Sequence, residues 1–233
     1  MEKSIGLMIV GGGLVANSFK GSYQNDKDII IFASGVSNSS EIEDKEFNRE
    51  KNLLNKVLDE YPSTRFIYLS TILIGYKNTP YYIHKENMEK IIMKKSKDYV
   101  ILRVPQLIGY GGNKKTLVNY MTDSIKRGTP IIINNEVRRS IVDIEDIVKF
   151  VEYCKEKISC ATVNISGVES ISVIDLCKEI GYHLRKSPLL STEGRIIDNG
   201  WVNMNSKIFK DFLEKYSIVS DNYTIRKIKK YIS

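Results

Sequence analysis

Residues 9–19 read IVGGGLVANSF, which joins the end of an apolar run to a segment that can form a helix. Gly11, Gly13 and Ala16 have the spacing GxGxxA. Glycines with this spacing let the backbone turn sharply and approach a pyrophosphate, whose charge the free N–H groups of a following helix stabilise. A tight turn between a strand and a helix without a ligand would use the same residues, so this stretch alone leaves both interpretations open.

On both sides of this stretch, short apolar runs alternate with segments of helical periodicity. Runs that are apolar throughout are typical of strands covered on both faces. Segments with helical spacing lie between them, at 14–20, 45–61 and 81–95. The alternation predicts an α/β fold of the Rossmann type, with a doubly wound parallel sheet. The predicted strands are 5–10, 29–33, 66–69, 99–104 and about 162–165.

The second half of the chain predicts further short elements. Gly128 and Pro130 end one helix, and Ser172 with Asp175 forms a capping-box-like start for another. The predicted helices are 116–127, 145–157 and one that begins after Ser172, and the predicted short strands lie within 130–135 and 138–144.

This order of elements predicts two parts of the chain. A cofactor-binding core of the Rossmann type would comprise residues 1–107 and be completed by about 136–165. Residues 108–135 and 166–233 would form a smaller α/β lobe that binds the substrate.

One strand that such a core usually contains is missing from the sequence. An acidic residue about 20 positions after the glycine loop, at the end of a second strand, normally holds the ribose of the adenosine. Here only GSYQNDKD, residues 21–28, separates the first helix from the strand at 29–33. We therefore expect part of the usual adenosine pocket to be absent.

The charge of the chain favours a solvated basic surface over a nucleic-acid interface, and such a surface would also suit a phosphorylated small molecule. Its 233 residues include 35 Lys+Arg and 28 Asp+Glu, which gives a net charge of +7. The lysines are spread along the predicted helices and do not form one block, which is typical of a solvated basic surface. We expect no nucleic-acid partner.

The cysteines and the N-terminus indicate a protein of the reducing cytoplasm. Cys154, Cys160 and Cys177 have neither CxxC spacing nor a nearby histidine, so neither a disulfide framework nor a zinc site is predicted. The apolar run within MEKSIGLMIVGGG is too short to span a membrane or to act as a signal sequence. We expect no membrane partner and no metal.

Several segments, in the same order, resemble the extended short-chain dehydrogenase/reductase family, the branch of nucleotide-sugar epimerases, dehydratases and 4-keto reductases. VILRVPQLIG resembles the family's LRxxNxxG segment, RRSIVDIEDI its RDFIHVDDV segment, and NISGVESISVIDL its NIGGGESVSVLEL segment. Tyr81 and Lys85 match the family's YxxxK. The similar segments are the glycine loop 11–16, IIIFASG at 29–35, YLST at 68–71, PYYIHK at 80–85, and the three just quoted at 100–109, 138–147 and 164–176.

The resemblance implies an NAD(P)-dependent oxidoreductase in which Tyr81 handles a proton while hydride moves to or from a nicotinamide ring. A tyrosine hydroxyl has a pKa near 10, so its ionisation at neutral pH needs a nearby positive charge. Lys85, one helical turn further on, would supply that charge and also bond the nicotinamide ribose. Thr71 would orient the substrate oxygen, with Ser70 as a second candidate.

The resemblance also implies which residues hold the cofactor. NADP(H) or NAD(H) would bind at the carboxyl ends of the first strands. The residue that contacts the 2′-phosphate of NADPH normally lies in the segment that is absent here. Lys20 is the basic residue nearest to that segment, and it gives a slight preference for NADPH. The predicted cofactor-binding residues are Gly11, Gly13, Leu14, Val15, Ala33, Ser34, Gly35, Lys85 and Pro105.

Two further residues are expected to contact a nucleotide-sugar substrate. Arg139 resembles the family's arginine that contacts the substrate diphosphate, for which a guanidinium is suited. The alternative for Arg139 is a salt bridge with Glu145 or Asp146. Gln106 stands where the family usually has an asparagine that faces the substrate. Lys114 and Lys115 are better explained as part of a solvated loop.

The neighbours of Tyr81 and Lys85 have less specific interpretations. Tyr82 has Glu86 four residues on, and a carboxylate would raise the pKa of a phenol. Tyr82 is therefore predicted to pack or to line the substrate site. His84 is predicted to be a histidine at the surface or at the edge of the cofactor, rather than a base.

Departures from the family pattern select among its reactions. The family's 4,6-dehydratases carry Asp-Glu directly after the threonine, whereas Ile72 and Leu73 follow Thr71 here. The sequence thus favours reduction of a nucleotide-linked 4-keto-6-deoxy sugar. The alternatives are an epimerase with retained NAD and a regulator that binds a dinucleotide or sugar nucleotide without turnover. The resemblance also implies a homodimer formed by the helices 45–61 and 81–95.

Overall fold

A computed structural model of the chain describes residues 8–133, 137–192, 205–218 and 222–232. The helices lie close to the segments with helical periodicity. In chain order they are α1 (Leu14–Tyr23), α2 (Asp44–Glu60), α3 (Pro80–Lys95), α4 (Leu117–Arg127), α5 (Ile144–Cys154), α6 (Val173–Leu184), α7 (Lys207–Lys215) and α8 (Tyr223–Ile232).

The strands are short, and the longest of them, β3, has seven residues. In chain order they are β1 (Ile9–Val10), β2 (Ile29–Phe32), β3 (Arg65–Thr71), β4 (Tyr99–Val104), β5 (Gln106–Ile108), β6 (Ile131–Ile133), β7 (Arg138–Arg139), β8 (Ile141–Asp143), β9 (Ala161–Asn164), β10 (Ile171–Ser172) and β11 (Leu190–Thr192).

The chain divides into two compact units. The first comprises the described residues of Met1–Arg103 together with Val148–Val163. The second comprises the described residues of Val104–Ile147 and Asn164–Ser233. Pro105, which follows β4, has no N–H and cannot donate to a ladder of strand hydrogen bonds. The next strand, β5, pairs with β8 instead of extending the first sheet.

A five-stranded sheet forms the centre of the first unit. Its strand order is β1-β2-β3-β4-β9, so β1 lies at one edge of the sheet as the described residues form it. β1 pairs in parallel with β2, and β2 with β3, in registers that place Val10 beside Phe32 and Phe32 beside Tyr68. The predicted parallel sheet is confirmed.

Helices cover both faces of this sheet. Because side chains alternate along a strand, Phe32, Phe66 and Tyr68 point to one face, where they pack with residues of α2 and α3 such as Leu54 and Met88. The other face is packed by α5, whose Val151 and Cys154 lie against Ile29, Ile67 and Leu102. The Tyr23 hydroxyl of α1 donates a hydrogen bond to Glu152 of α5.

The helix α3 begins where the sequence allows it. Pro80 stands in its first turn, where the missing N–H would have had no partner within the helix, and Thr79 is the N-cap. Met88 and Ile92 give it a buried apolar stripe. α3 ends at Lys95, with two lysines in its last turn, a favourable place for positive charge.

The second unit has its own apolar core, formed by α4, α6, α8 and short strand pairs. β7 pairs antiparallel with β10, and β5 and β6 pair in parallel with β8 and β11. Ser172 caps α6 as predicted, because its Oγ accepts a hydrogen bond from the Asp175 amide at 3.0 Å. Gly128 ends α4 with a φ of 69°.

Asp143 forms a buried acidic centre in the second unit. Its carboxylate accepts hydrogen bonds from Lys227 Nζ at 2.7 Å and from Tyr231 Oη at 2.6 Å. Lys230 Nζ lies 3.7 Å away. These contacts tie α8 to the end of β8, and they hold the pKa of Asp143 below its ordinary value despite its burial.

Some element boundaries differ from the predicted ones. Residues 5–7 of the first predicted strand, and residues 134–135 of a later one, lie outside the described residues. The helix predicted at 145–157 ends at Cys154, and α1 continues to Tyr23. The sequence patterns did not predict β5, β11, α7 or α8. Within the described part of the chain, no helix has both the length and the apolarity needed to cross a membrane.

Candidate active site

Thr71, Tyr81 and Lys85 lie on two neighbouring elements of the first unit. Thr71 is the last residue of β3, and α3 begins nine residues later at Pro80. Tyr81 and Lys85 are one turn apart on α3, so they share one face of the helix. The Lys85 ammonium lies 5.9 Å from the centroid of the Tyr81 ring.

Tyr81 is buried in the first unit. Its side chain contacts Tyr82 edge to face, with ring centroids 5.0 Å apart. The pKa of Tyr81 is raised well above its ordinary value, chiefly by burial and then by the neighbouring Tyr82 and the charge of Glu50. The lowering of this pKa that was expected from Lys85 is not found in this structure, where the ammonium contacts another partner.

That partner is Glu50, a fully buried carboxylate on α2. Lys85 Nζ donates to its two oxygens at 3.1 and 3.4 Å, and to Tyr68 Oη at 3.1 Å. Glu50 also accepts from the Val36 amide at 2.6 Å and from Tyr68 Oη at 2.7 Å. These donors hold the pKa of Glu50 far below its ordinary value, although burial alone would raise it.

The structure corrects the interpretation of His84. Its imidazole is buried, stacked on the Phe47 ring with centroids 4.7 Å apart. His84 Nε2 lies 3.1 Å from Glu50 Oε2. His84 therefore belongs to the Glu50 cluster rather than to the surface, because α3 turns this side of its first two turns towards α2.

Tyr82 is buried beside Tyr81, in agreement with a packing role. The carboxylate four residues on, Glu86, forms an ion pair with Lys90 at 2.8 Å. Glu86 is not among the causes that raise the pKa of Tyr81, which are burial, Tyr82 and Glu50 in that order.

Ser70 and Thr71 close the carboxyl end of β3. Thr71 Oγ1 accepts a long hydrogen bond of 3.4 Å from the Leu73 amide. Ser70 Oγ is buried and has no hydrogen-bond partner among the described residues. A buried hydroxyl without a partner is costly, so a ligand group that bonds it would be stabilising. Ile72 and Leu73, which stand where a dehydratase has two acids, are both buried.

In the glycine loop, one glycine has no room for a side chain and the other two have open space around them. Gly11 has a φ of 139°, and a Cβ there would lie 2.6 Å from the Ala33 carbonyl oxygen, so only glycine fits beside β2. Nothing lies within 4 Å of the position where Gly12 or Gly13 would carry a Cβ. Gly13 is the N-cap of α1 and is exposed. The loop is thus an open cradle at a helix N-terminus.

The segment after β2 is held by charged side chains. Arg49 donates to the Ser34 carbonyl at 3.1 Å and to Ser34 Oγ at 3.2 Å. A Cβ on Gly35 would lie 2.7 Å from Lys85 Nζ. Leu14, Val15 and Ala33, the remaining predicted cofactor contacts in this unit, are half-buried.

Pro105, Gln106 and Arg139 belong to the second unit. The backbone N–H of Gln106 donates to the Ser140 carbonyl at 3.3 Å, and Gln106 pairs with Ile141 in the β5–β8 ladder. Arg139 is half-buried on β7. Its suggested salt-bridge partners, Glu145 and Asp146, form ion pairs with Lys230 and Lys227 of α8.

Sequence reasoning missed Glu50, Tyr68 and the pair formed by Glu89 and Arg103. Glu89 is buried on α3, and its carboxylate binds the Arg103 guanidinium through two contacts of 2.6 and 3.0 Å. A signal for Glu50 was present: it lies three residues after Phe47 and four before Leu54, on the apolar stripe of α2. A charged residue on such a stripe indicates a buried partner of opposite charge.

No family model matches the sequence, and a search of curated protein sequences found no match either. Solved structures match well. An epimerase from Methanothermobacter thermautotrophicus has a TM-score of 0.71 at 15% identity, covering 95% of this chain and 76% of that one. RMD from Pseudomonas aeruginosa, complexed with NADPH, has a TM-score of 0.70 at 13% identity, covering 95% and 97%.

A third similar structure is the UDP-N-acetylglucosamine 4-epimerase from Methanobrevibacter ruminantium in complex with UDP-N-acetylmuramic acid. Its TM-score is 0.67 at 16% identity, and the match covers 89% of this chain and 76% of that one. At these identities the likeness concerns the fold. The predicted Rossmann-type α/β fold is confirmed, and it is the fold of nucleotide-sugar epimerases and of an NADPH-binding protein.

Proposed function

We propose that this chain is an NAD(P)H-dependent reductase of a nucleotide-linked keto sugar, of the 4-keto-6-deoxy type, with Tyr81 as the proton donor. The observation that carries the proposal is the position of Tyr81. This tyrosine is buried and lies one turn before a lysine, on the helix that follows the strand ending in Thr71. The similar structures, which include a protein complexed with NADPH and one complexed with a UDP-sugar, support the ligand classes.

The glycine loop fits the pyrophosphate of a dinucleotide. Gly12 and Gly13 leave open space at the N-terminus of α1, where free N–H groups and the helix dipole favour an anion. Gly11 keeps the loop close to Ala33. We assign Leu14, Val15 and the segment Ala33–Gly35 to the walls of the same site. The slight preference for NADPH stays a prediction that rests on Lys20.

The substrate contacts in the proposal are the predicted ones. Thr71 would orient the carbonyl oxygen, and the unpartnered hydroxyl of Ser70 would contact the sugar or the cofactor. Gln106 would contact the sugar, and Arg139 the diphosphate. Pro105 would lie beside the cofactor. Arg139 and Gln106 both lie on strands, which hold side chains more rigidly than loops do.

In the proposed reaction, the residues assigned above would hold a reduced nicotinamide, whose chemistry when bound would be the supply of a hydride to the carbonyl carbon. Tyr81 would give its phenolic proton to the carbonyl oxygen, so the C=O double bond becomes an alcohol. The phenolate of Tyr81 would then regain a proton from water.

The short connection between α1 and β2 makes an epimerase with retained NAD the weaker proposal. An epimerase must hold its nicotinamide cofactor through oxidation and re-reduction, whereas a reductase exchanges it at each turnover. Residues 24–28 alone link α1 to β2, and β1 lies at the edge of the sheet as the described residues form it, so the strand that usually holds the adenosine is absent there. An epimerase would also carry NAD through purification, which the absorbance of the supernatant after denaturation would reveal.

A second candidate function is binding of a nucleotide sugar or dinucleotide without turnover. The observation that favours it is the engagement of Lys85, whose three N–H groups are all directed to Glu50 and Tyr68. In that case Tyr81→Phe would change neither the affinity for ligand nor any regulatory effect. The homodimer through α2 and α3 stays a prediction from the resemblance.

The deciding experiment is an assay of the purified full chain with NADPH and with NADH against a panel of nucleotide-linked 4-keto-6-deoxy sugars. We expect loss of the reduced-nicotinamide absorbance with at least one substrate. Tyr81→Phe should lower kcat by about 10²–10⁴-fold, the usual contribution of a positioned general acid. Tyr82→Phe is the matched control and should lower kcat far less than Tyr81→Phe, since Tyr82 is a neighbouring buried tyrosine that is out of register with Lys85. No oxidation of either cofactor across the panel would refute the proposal.

A further inference from the structure

Glu50 is the centre of a buried polar cluster that no part of the proposed reaction uses directly. Resting on the proposed function, we propose that Glu50 is a positioning residue: it holds the Lys85 ammonium beside Tyr81, offsets part of its charge, and so controls how readily Tyr81 ionises. Glu50 would act through Lys85 and would touch neither substrate nor cofactor.

The hydrogen bonds of Lys85 give the first argument. An ammonium group has three donors. In this structure two are directed to Glu50 Oε1 and Oε2, at 3.1 and 3.4 Å, and the third to Tyr68 Oη at 3.1 Å. Glu50 of α2 and Tyr68 of β3 therefore use all three donors of the Lys85 ammonium. To bond a ribose or the Tyr81 oxygen, it would have to give up one of these contacts.

The confinement of Lys85 gives the second argument. Its side chain is 4% exposed, and that of Glu50 is fully buried. A Cβ on Gly35 would lie 2.7 Å from Lys85 Nζ and 3.1 Å from Glu50 Oε1. The ammonium is thus packed against the backbone that follows β2. Glu50 also accepts from the Val36 amide, so the carboxylate is anchored to that same backbone segment.

The charges around Tyr81 give the third argument. Lys85 Nζ lies 5.9 Å from the Tyr81 ring centroid, within the range where a cation shifts the pKa of a tyrosine. A carboxylate only 3.1 Å from that cation offsets most of its field. The pKa of Tyr81 accordingly stays raised, by burial, by Tyr82 and by the Glu50 charge.

Several elements of the first unit place titratable groups near Tyr81. α2 contributes Glu50, and β3 contributes Tyr68, whose own pKa is raised by burial and by Glu50. α3 contributes Tyr82, His84 and Lys85. His84 Nε2 contacts Glu50 at 3.1 Å, so it adds a further donor to the same carboxylate. Glu50 is the group that contacts both Lys85 and His84.

The test measures the titration of Tyr81 without substrate or cofactor. A fluorinated tyrosine placed at residue 81 lowers the intrinsic pKa of that phenol enough to follow its ionisation by fluorine NMR in the folded full chain. In Glu50→Gln we expect the midpoint to fall by about 1–2 pH units, because the Lys85 charge is no longer offset. In Glu50→Gln combined with Lys85→Met, we expect it to return to within about half a unit of the parent, since the pair is replaced by two neutral side chains.

Two controls make the result specific. Glu89→Gln removes another buried carboxylate of the first unit, whose partner is Arg103, and should leave the Tyr81 midpoint unchanged. The double variant leaves no buried charge unpaired. If Glu50→Gln alone does not fold, the double variant therefore tests whether Glu50 offsets the Lys85 charge. A double variant whose midpoint lies a unit or more above the parent would mean that Lys85 was not offset.

The proposal is overturned if Glu50→Gln leaves the midpoint where it was or raises it, or if the double variant keeps the full shift. Failure of the reductase assay with these shifts present would refute the proposed function and leave the role of Glu50 standing. Where the reductase is active, the alkaline limit of its pH profile should move to lower pH in Glu50→Gln, in step with the Tyr81 midpoint.

Discussion

The two units of the chain each contain a fully buried carboxylate that binds lysine and tyrosine, and the two centres differ in their access to water. Glu50 in the first unit binds Lys85, whose side chain is 4% exposed. Asp143 in the second unit binds Lys227 and Lys230, whose side chains are 21% and 36% exposed. A lysine that reaches water can keep its charge hydrated when its partner is lost, whereas a buried lysine cannot.

On this difference we base the proposal that the Asp143 centre is structural and the Glu50 centre functional. The Asp143 centre ties the C-terminal helix α8 to the end of β8, and its lysines belong to that helix. The Glu50 centre draws on α2, β3, α3 and the backbone after β2, and its lysine lies under Tyr81. Burying a lysine completely is costly, and such groups persist where a site needs them.

The largest expected effect comes from removing each carboxylate. Glu50→Ala should lower the free energy of unfolding by about 3–5 kcal/mol, because Lys85 is left buried without its partner. Asp143→Ala should cost less, about 1–3 kcal/mol, since Lys227 keeps its contact with Asp146 at 2.9 Å and reaches solvent. Urea unfolding of both variants at neutral pH measures the two losses. An Asp143→Ala loss equal to or larger than that of Glu50→Ala would contradict the comparison.

Periodicity predicted the first unit well because each of its elements is decided locally. Val10, Phe32 and Tyr68 lie on strands whose apolar runs are visible in the sequence, and Pro62 marks the end of α2. Tyr81 and Lys85 were found because their spacing on one helix is itself a local pattern. The rest of the candidate site depends on contacts that no local pattern contains.

The partners of Glu50 are an example of contacts that the sequence could not predict. Glu50 and Lys85 are 35 residues apart, and only the packing of α2 on α3 brings them together. The surface position, one of the two predicted for His84, is wrong for the same reason. The sequence shows a lysine one turn from Tyr81 but not the burial that chiefly raises the pKa of Tyr81, nor the carboxylate of Glu50 that adds to it.

An intermediate effect is expected from pH. The pKa values of Glu50 and Asp143 are both lowered in the folded protein, the first by Lys85 and His84 and the second by Lys227 and Tyr231. Each therefore contributes stability that is complete above the ordinary carboxyl pKa of about 4 and is lost as the pH falls towards the lowered value.

Urea titrations at a series of pH values from about 6 down to about 3 would measure this loss. Wild type should lose stability steeply below about pH 4. Glu50→Gln with Lys85→Met should show a shallower decline, because the most strongly shifted carboxylate is gone. An unchanged acid slope in the double variant would mean that Glu50 does not carry this stability.

The smallest effect is expected from the tyrosines that donate to the two carboxylates. Tyr68 Oη donates to Glu50 at 2.7 Å and is fully buried, and Tyr231 Oη donates to Asp143 at 2.6 Å from a half-buried position. Tyr68→Phe removes a donor that water cannot replace, so it should cost about 1.5–3 kcal/mol of unfolding free energy. Tyr231→Phe should cost about 1 kcal/mol or less, because water can reach that side of Asp143. Denaturant unfolding of the two variants gives the ratio directly. Equal costs would show that the two buried carboxylates are equally shielded from water. The proposed difference between the functional Glu50 centre and the structural Asp143 centre would then rest on Tyr81 alone.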